Sequence, residues 1–108
     1  MKASQYHQYG GPEVFQLGDL PLPSPKAHEV LVQVRATTVT GADIMMRTGL
    51  PRIGRLYLGL RKPKRSILGF EFAGEVVALG PDVAWFKVSD KVFGGTTKLG
   101  CYAEYACV

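Results

Sequence analysis

The sequence predicts a mainly β fold: an antiparallel β-barrel interrupted by one or two short helices. Short apolar or alternating runs recur along the chain, clusters of Gly and Pro punctuate them, and only two stretches carry helical spacing. Many short strands divided by such turns belong to sandwiches and barrels. The chain has 108 residues, 46% of them hydrophobic. That suits one domain with a packed core.

Taken in order, a first strand is expected around Lys2 to Tyr6, and Gly10-Gly11-Pro12 turns the chain after it. Pro21, Pro23 and Pro25 form a stiff connector, since proline has no amide to give a central sheet. Glu29 to Ala36 alternates, with Val30, Val32, Val34 and Ala36 on one face and Gln33 and Arg35 on the other, a half-buried strand. A helix starts at Thr40, where Thr40 and Asp43 have capping-box spacing, and Gly49 closes it. A weaker helix follows Pro51, with Ile53, Leu56, Tyr57 and Leu60 spaced for one face and Gly54 and Gly59 opposing it. Residues 70–79 read as a strand covered on both sides, with Gly74 marking a bulge or a close backbone approach. Gly80-Pro81-Asp82 is a turn, and Lys91 to Phe93 and Tyr102 to Val108 are two more short strands.

The net charge of +4 is unevenly placed. Seven Arg and Lys lie between residues 47 and 65 with no acid, so the rest of the chain is net negative. A nucleic-acid reading of the whole chain is therefore misplaced. No run approaches the ~18 apolar residues of a transmembrane helix. The N-terminus M-K-A-S-Q-Y-H-Q is too polar for a signal peptide, and two cysteines do not make a secreted disulfide framework, so a cytoplasmic setting is expected. Neither dinucleotide glycine fingerprint nor phosphate-loop motif occurs.

Five motifs stand in a recognisable order: Y-G-G-P-E-V (9–14), T-G-A-D-I-M-M-R-T-G (40–49), G-F-E-F-A-G (69–74), F-K-V-S-D-K-V-F (86–93) and G-C-Y-A-E-Y (100–105). Together they resemble the N-terminal, GroES-like catalytic domain of the medium-chain dehydrogenase/reductase superfamily, in its zinc-independent quinone oxidoreductase-like branch. The resemblance implies that residues 1–108 are one catalytic domain of a longer protein. Its C-terminal Rossmann partner would bind NADPH or NADH, and the active site would lie in the cleft between the two. It also implies a small carbonyl, enone or quinone substrate and a homodimer when full length. Nucleic acid and membrane are not expected partners. The alternative reading is a free-standing GroES-like barrel that binds a partner through the basic segment 50–66.

The resemblance also assigns the site. Zinc members of the superfamily carry Gly-His-Glu where this chain has Gly69-Phe70-Glu71, and a Cys ligand where it has Thr40, three residues before Asp43. Phe has no lone pair to offer and Thr is a poor zinc ligand, so no metal is expected. The candidate cleft residues are Thr40, Asp43, Phe70, Glu71 and Tyr57, with no catalytic acid identified. Phe70 would form an apolar wall. Glu71 is expected to be buried or half-buried and satisfied by Arg35, another cation or backbone amides, because an unpaired buried carboxylate is costly. His7 and His28 are isolated, with His28 in an exposed loop. Cys101 and Cys107 read as core or edge thiols, and Tyr102 and Tyr105 as sheet packing. Segment 50–66 reads as an exposed cationic lip or as an amphipathic lid presenting Leu56, Tyr57 and Leu60.

Overall fold

A computed structural model describes all residues, 1–108. It contains six strands in two antiparallel sheets and two short helices. Strands β1 (Lys2–Gln5) and β2 (Gln16–Asp19) form a two-stranded ribbon. Strands β3 (Val30–Thr37), β4 (Glu71–Leu79), β5 (Lys91–Gly95) and β6 (Tyr105–Cys107) form the second sheet in the order β5-β4-β3-β6. An Ala3–Ala103 bridge, with the Ser4 amide donating to the Tyr102 carbonyl, joins the ribbon to the β6 edge of that sheet. The barrel expected from the sequence is thus an antiparallel two-sheet arrangement.

The strand physics departs from the sequence reading in four places. Strand β4 is covered on one side only: Phe72 and Val76 are buried while Glu71 and Val77 are exposed. Its alternation is masked in the sequence by apolar residues on the outer face. Strand β3 is buried at Val30, Leu31 and Val32, but exposed from Arg35 to Thr37. Two register shifts against β4, at Leu31/Val32 and Val34/Ala36, carry this change of face. The second falls at Gly74, where a Cβ would collide with the Gln33 carbonyl, so the glycine marks both bulge and close approach. Strand β2 has no alternation to announce it; it is a short, mostly exposed partner of β1. The final strand is shorter than expected, because Tyr102 to Glu104 turn to the ribbon, although the Glu104 carbonyl still accepts from the Val34 amide of β3.

Helix α1 (Gly41–Thr48) runs between its expected caps, Thr40 and a left-handed Gly49 with φ 67°. After it come a 3-10 turn (Arg52–Gly54) and the single-turn α2 (Arg55–Leu58). Pro51 precedes that turn rather than opening a helix. Ile53, Leu56, Tyr57 and Leu60 all face solvent, because the glycines break the segment before a packed face can form. No helix is long and apolar enough to cross a membrane.

Two apolar clusters hold the fold. Val30, Val32, Phe72, Val76 and Cys101 lie beneath the larger sheet. Tyr6, Val14, Leu68 and Leu99 form the other cluster, with Met46, Phe70 and Tyr102 packed against it. That second cluster sits under α1 and positions the candidate site.

Candidate functional site

The site is organised by one buried carboxylate. Asp43 is 2% exposed. Its Oδ2 accepts from the Thr40 amide and the Thr40 hydroxyl, each at 3.0 Å. Its Oδ1 accepts from the Gly69 amide at 3.2 Å. The Asp43 amide in turn donates to Thr40 Oγ1 at 3.3 Å, completing the capping box. Asp43 therefore does two things: it starts α1, and it ties that start to the segment entering β4. Gly69 makes the tie possible. Its φ is 109°, and a Cβ there would lie 2.8 Å from Cys101 Cβ and 2.9 Å from Tyr102.

The consequence is that Thr40 and Phe70 belong to two segments held together by the same side chain. Phe70 is half-buried against the Tyr6/Leu68 cluster, and its carbonyl accepts from the Thr96 amide at 2.7 Å. Thr40 has one hydroxyl proton, and it is committed to Asp43. The site thus offers a shaped, half-apolar wall and no free hydroxyl donor from Thr40.

Sequence reasoning missed Tyr102 as a neighbour of this site. Its hydroxyl donates to the Thr38 carbonyl at 3.1 Å, fixing the link between β3 and α1. Its ring lies edge-on to Phe15, centroids 6.2 Å apart. Burial, then the charge of Asp43, push its phenol up to about 12. Burial first, and Asp43 second, push the adjacent Cys101 thiol up to about 11. Both groups are neutral near pH 7. Nothing in the spacing of G-C-Y-A-E-Y announces this, since Tyr102 meets partners more than thirty residues away.

Two expectations need correction or relocation. Glu71 is exposed, and neither ion pair of the molecule involves it or Arg35. It occupies an outward position of β4, where water solvates its carboxylate, so no cation has to satisfy it. Its backbone carbonyl accepts from the Thr37 hydroxyl at 2.7 Å. With Thr37, Thr38, Phe72 and Phe93 it lines an open groove of about 410 Å³. Tyr57 is 83% exposed and stands on α2, among none of the contacts that join Thr40, Asp43 and Gly69. His28 is exposed as expected, 3.9 Å from Asp82. Cys101 is a core thiol and Cys107 sits on the edge strand β6, both unpaired. No three His, Cys, Asp or Glu side chains come together in a way that could hold a metal ion.

The model of the alcohol dehydrogenase GroES-like domain matches residues 26–108, about three quarters of the chain. The chain belongs to that family. This GroES-like domain is 38% identical to the quinone oxidoreductase of Lama guanicoe, covering 98% of the chain and 30% of the relative. It superposes on the quinone oxidoreductase of Coxiella burnetii with a TM-score of 0.82 at 36% identity, covering 99% of the chain and 34% of that structure. It also superposes on Escherichia coli quinone oxidoreductase complexed with NADPH, with a TM-score of 0.84 at 27% identity, over 100% of the chain and 31% of that structure. The GroES-like domain thus spans about a third of the length of the relatives it matches.

Proposed function

We propose that residues 1–108 form the substrate-side, catalytic domain of a longer, zinc-independent oxidoreductase that uses NADPH or NADH to reduce quinones, enones or related carbonyls. The observation that carries the reading is the Asp43 bridge. It joins the Thr40 and Phe70 segments, the two places where zinc members of the superfamily hold their metal, and here neither residue suits zinc. The relatives support the reaction class: they are quinone oxidoreductases, and one solved neighbour is complexed with NADPH.

This chain does not suit NAD(P)H as its principal holder. The start of α1 follows a strand, as a dinucleotide site does, but lacks the glycine-rich turn. The Asp43 carboxylate already fills that helix terminus, where a pyrophosphate would otherwise accept from backbone amides. A C-terminal Rossmann domain is the natural holder, and the bound cofactor would supply the hydride. The chain's own residues orient the acceptor: Phe70 packs against its apolar part, and the Thr40–Asp43 cap keeps the wall rigid.

Quinone-dependent oxidation of NADPH by the whole protein tests the reading. The expected result is saturable turnover that survives chelator dialysis and is absent from residues 1–108 alone. Thr40→Ser should keep turnover, whereas Phe70→Ser should raise KM about tenfold through lost apolar contact. Turnover by residues 1–108 alone, or activity abolished by the chelator and restored by zinc, would overturn it.

A further inference from the structure

The surface around α1 and the segment after it combines two properties. Of fifteen large apolar side chains exposed on the molecule, eight lie between residues 39 and 60, among them Ile44, Met45, Ile53, Leu56, Tyr57 and Leu60. Seven cations and no acid lie between residues 47 and 65. Arg52, Arg61, Lys62 and Lys64 are exposed, and their side chains make neither an ion pair nor a hydrogen bond. Isolated exposed apolar residues are ordinary, but a concentration of them marks a surface that meets something.

The segment is held in place. The Tyr9 hydroxyl donates to the Gly59 carbonyl at 2.7 Å. The Arg55 guanidinium stacks 4.5 Å from the centre of the Tyr9 ring, while its Nε donates to the Gly49 carbonyl at 2.9 Å. The Lys64 amide donates to the Leu58 carbonyl at 2.8 Å, closing a turn around Gly59, whose φ is 130°. Arg65 reaches the Lys98 carbonyl at 2.5 Å. These ties leave Leu60, Arg61, Lys62 and Lys64 pointing outward from an ordered turn.

We propose that this lip is a binding site for a dissolved amphiphilic anion, an apolar chain ending in a phosphate or carboxylate. Ile53, Leu56, Tyr57 and Leu60 would cover the chain, and Arg61, Lys62 and Lys64 would take the charged head through charge-assisted hydrogen bonds. The charge decides the head: seven cations with no acid among them repel a cationic ligand and leave a neutral one with no use for them. The shape argues against a bilayer. Helix α2 has four residues, and the apolar groups sit on separate short pieces rather than on one long face that could lie in an interface.

The inference holds whether or not the whole protein is a reductase, because its test reads binding alone. The purified whole protein is titrated calorimetrically with dodecyl phosphate below its micellar concentration, with neutral dodecyl maltoside as control. Saturable binding of the phosphate is expected, about tenfold or more tighter than the maltoside and weakening as salt rises. Replacing Arg61, Lys62 and Lys64 together by Glu should cost about tenfold or more, and Leu60→Ser a few-fold, with thermal midpoints unchanged. Equal affinity for the neutral detergent, indifference to these substitutions, or flotation with phosphatidylglycerol vesicles without binding of the monomer would each overturn the proposal.

Discussion

Two faces of this molecule expose apolar side chains, and they differ in what surrounds them. The lip after α1 is aliphatic with one tyrosine, uniformly cationic, and tied down by backbone and side-chain hydrogen bonds. The other face lies between β5 and the turn after β4. There Trp85 is 88% exposed and Phe93 87%, above a groove of about 520 Å³ walled by Val30, Phe72 and Val108. Its charges are mixed, with Lys91 and Asp82 both in its lining. Apolar exposure alone says only that a surface is unfinished. Charge says for what: the cationic lip fits a small anion, whereas an aromatic groove of mixed charge has the composition of a surface buried against protein.

Asp43 caps the helix from which the lip departs, so its loss is the largest break in the comparison. Asp43→Ala leaves the Thr40 and Gly69 amides without their acceptor and removes the helix cap. The expected cost is about 3 kcal/mol, from two stranded donors and a lost cap. Chemical denaturation should show it. Amide exchange should speed up in α1 and at Gly69, while the β3–β4 ladder beneath the groove falls only with global stability. Equal local opening at both places would mean that the two faces are one cooperative unit.

Gly59 and Gly54 sharpen the same point within the lip. A Cβ at Gly59 would meet the Lys62 carbonyl, and its φ of 130° is one that side chains rarely adopt. Gly59→Ala should therefore cost about 2 kcal/mol and open the turn from Leu58 to Lys64. At Gly54 φ is −63° and nothing lies within 4 Å of an added Cβ, so Gly54→Ala should stabilise by about 0.5 kcal/mol. The same chemical change with opposite sign, five residues apart, would establish that the turn is specified and the single-turn helix is not.

These positions also show what the sequence could and could not disclose. Local chemistry was legible: the Thr40–Asp43 cap, the Gly49 stop and the turn at Pro81 are each set by residues within a few positions of one another, and Gly74 flagged its bulge by lacking a side chain, although the Gln33 carbonyl that requires it lies far away in the chain. Long-range partners were not. The spacing that places Asp43 at the third residue of a helix is silent about its second bond, to Gly69, twenty-six residues on. Glu71 misled because apolar neighbours hid its outward phase on β4. Strand β2 escaped because an exposed four-residue strand needs no apolar alternation. Of the candidate site, Thr40, Asp43 and Phe70 were gathered by the fold, Tyr102 was added by it, and Tyr57 was left at the surface.

Lys98 stands between the two faces and offers a middle-sized test. Its carbonyl accepts from Arg65 of the lip, while its Nζ pairs with Glu29 at 2.5 Å, beside Val30 of the groove. The Lys98 hydrogen bond, helped by the Lys26 amide, holds the Glu29 carboxyl below its usual range against the opposing effect of burial. Lys98→Met should cost about 1 kcal/mol near pH 7, discounted because the lysine is half-exposed. The sign follows from the lowered pKa. The pair's contribution is full above the unfolded carboxylate pKa and fades as pH falls through the lower folded value. Denaturation of the two proteins should therefore converge in acid. A gap that stays constant to low pH would assign the cost to packing of the lysine stem.

The smallest expected effect lies in the groove. Trp85 and Phe93 are almost fully exposed, so replacing both by Ser removes little buried area, and the stability of residues 1–108 should change by less than about 0.5 kcal/mol. The reason to make the change is the contrast with Phe72 of the same groove, which is buried at 9% and whose Phe72→Ala variant should lose about 3 kcal/mol. If the groove is a surface completed by further protein, the double Ser variant should be nearly silent in residues 1–108 yet destabilise the whole protein by about 2 kcal/mol or more. Urea denaturation of the two lengths, each with and without the substitutions, makes the comparison. The same small effect in both would show that nothing in the whole protein covers the aromatics, and the distinction drawn between the two faces would then rest on charge alone.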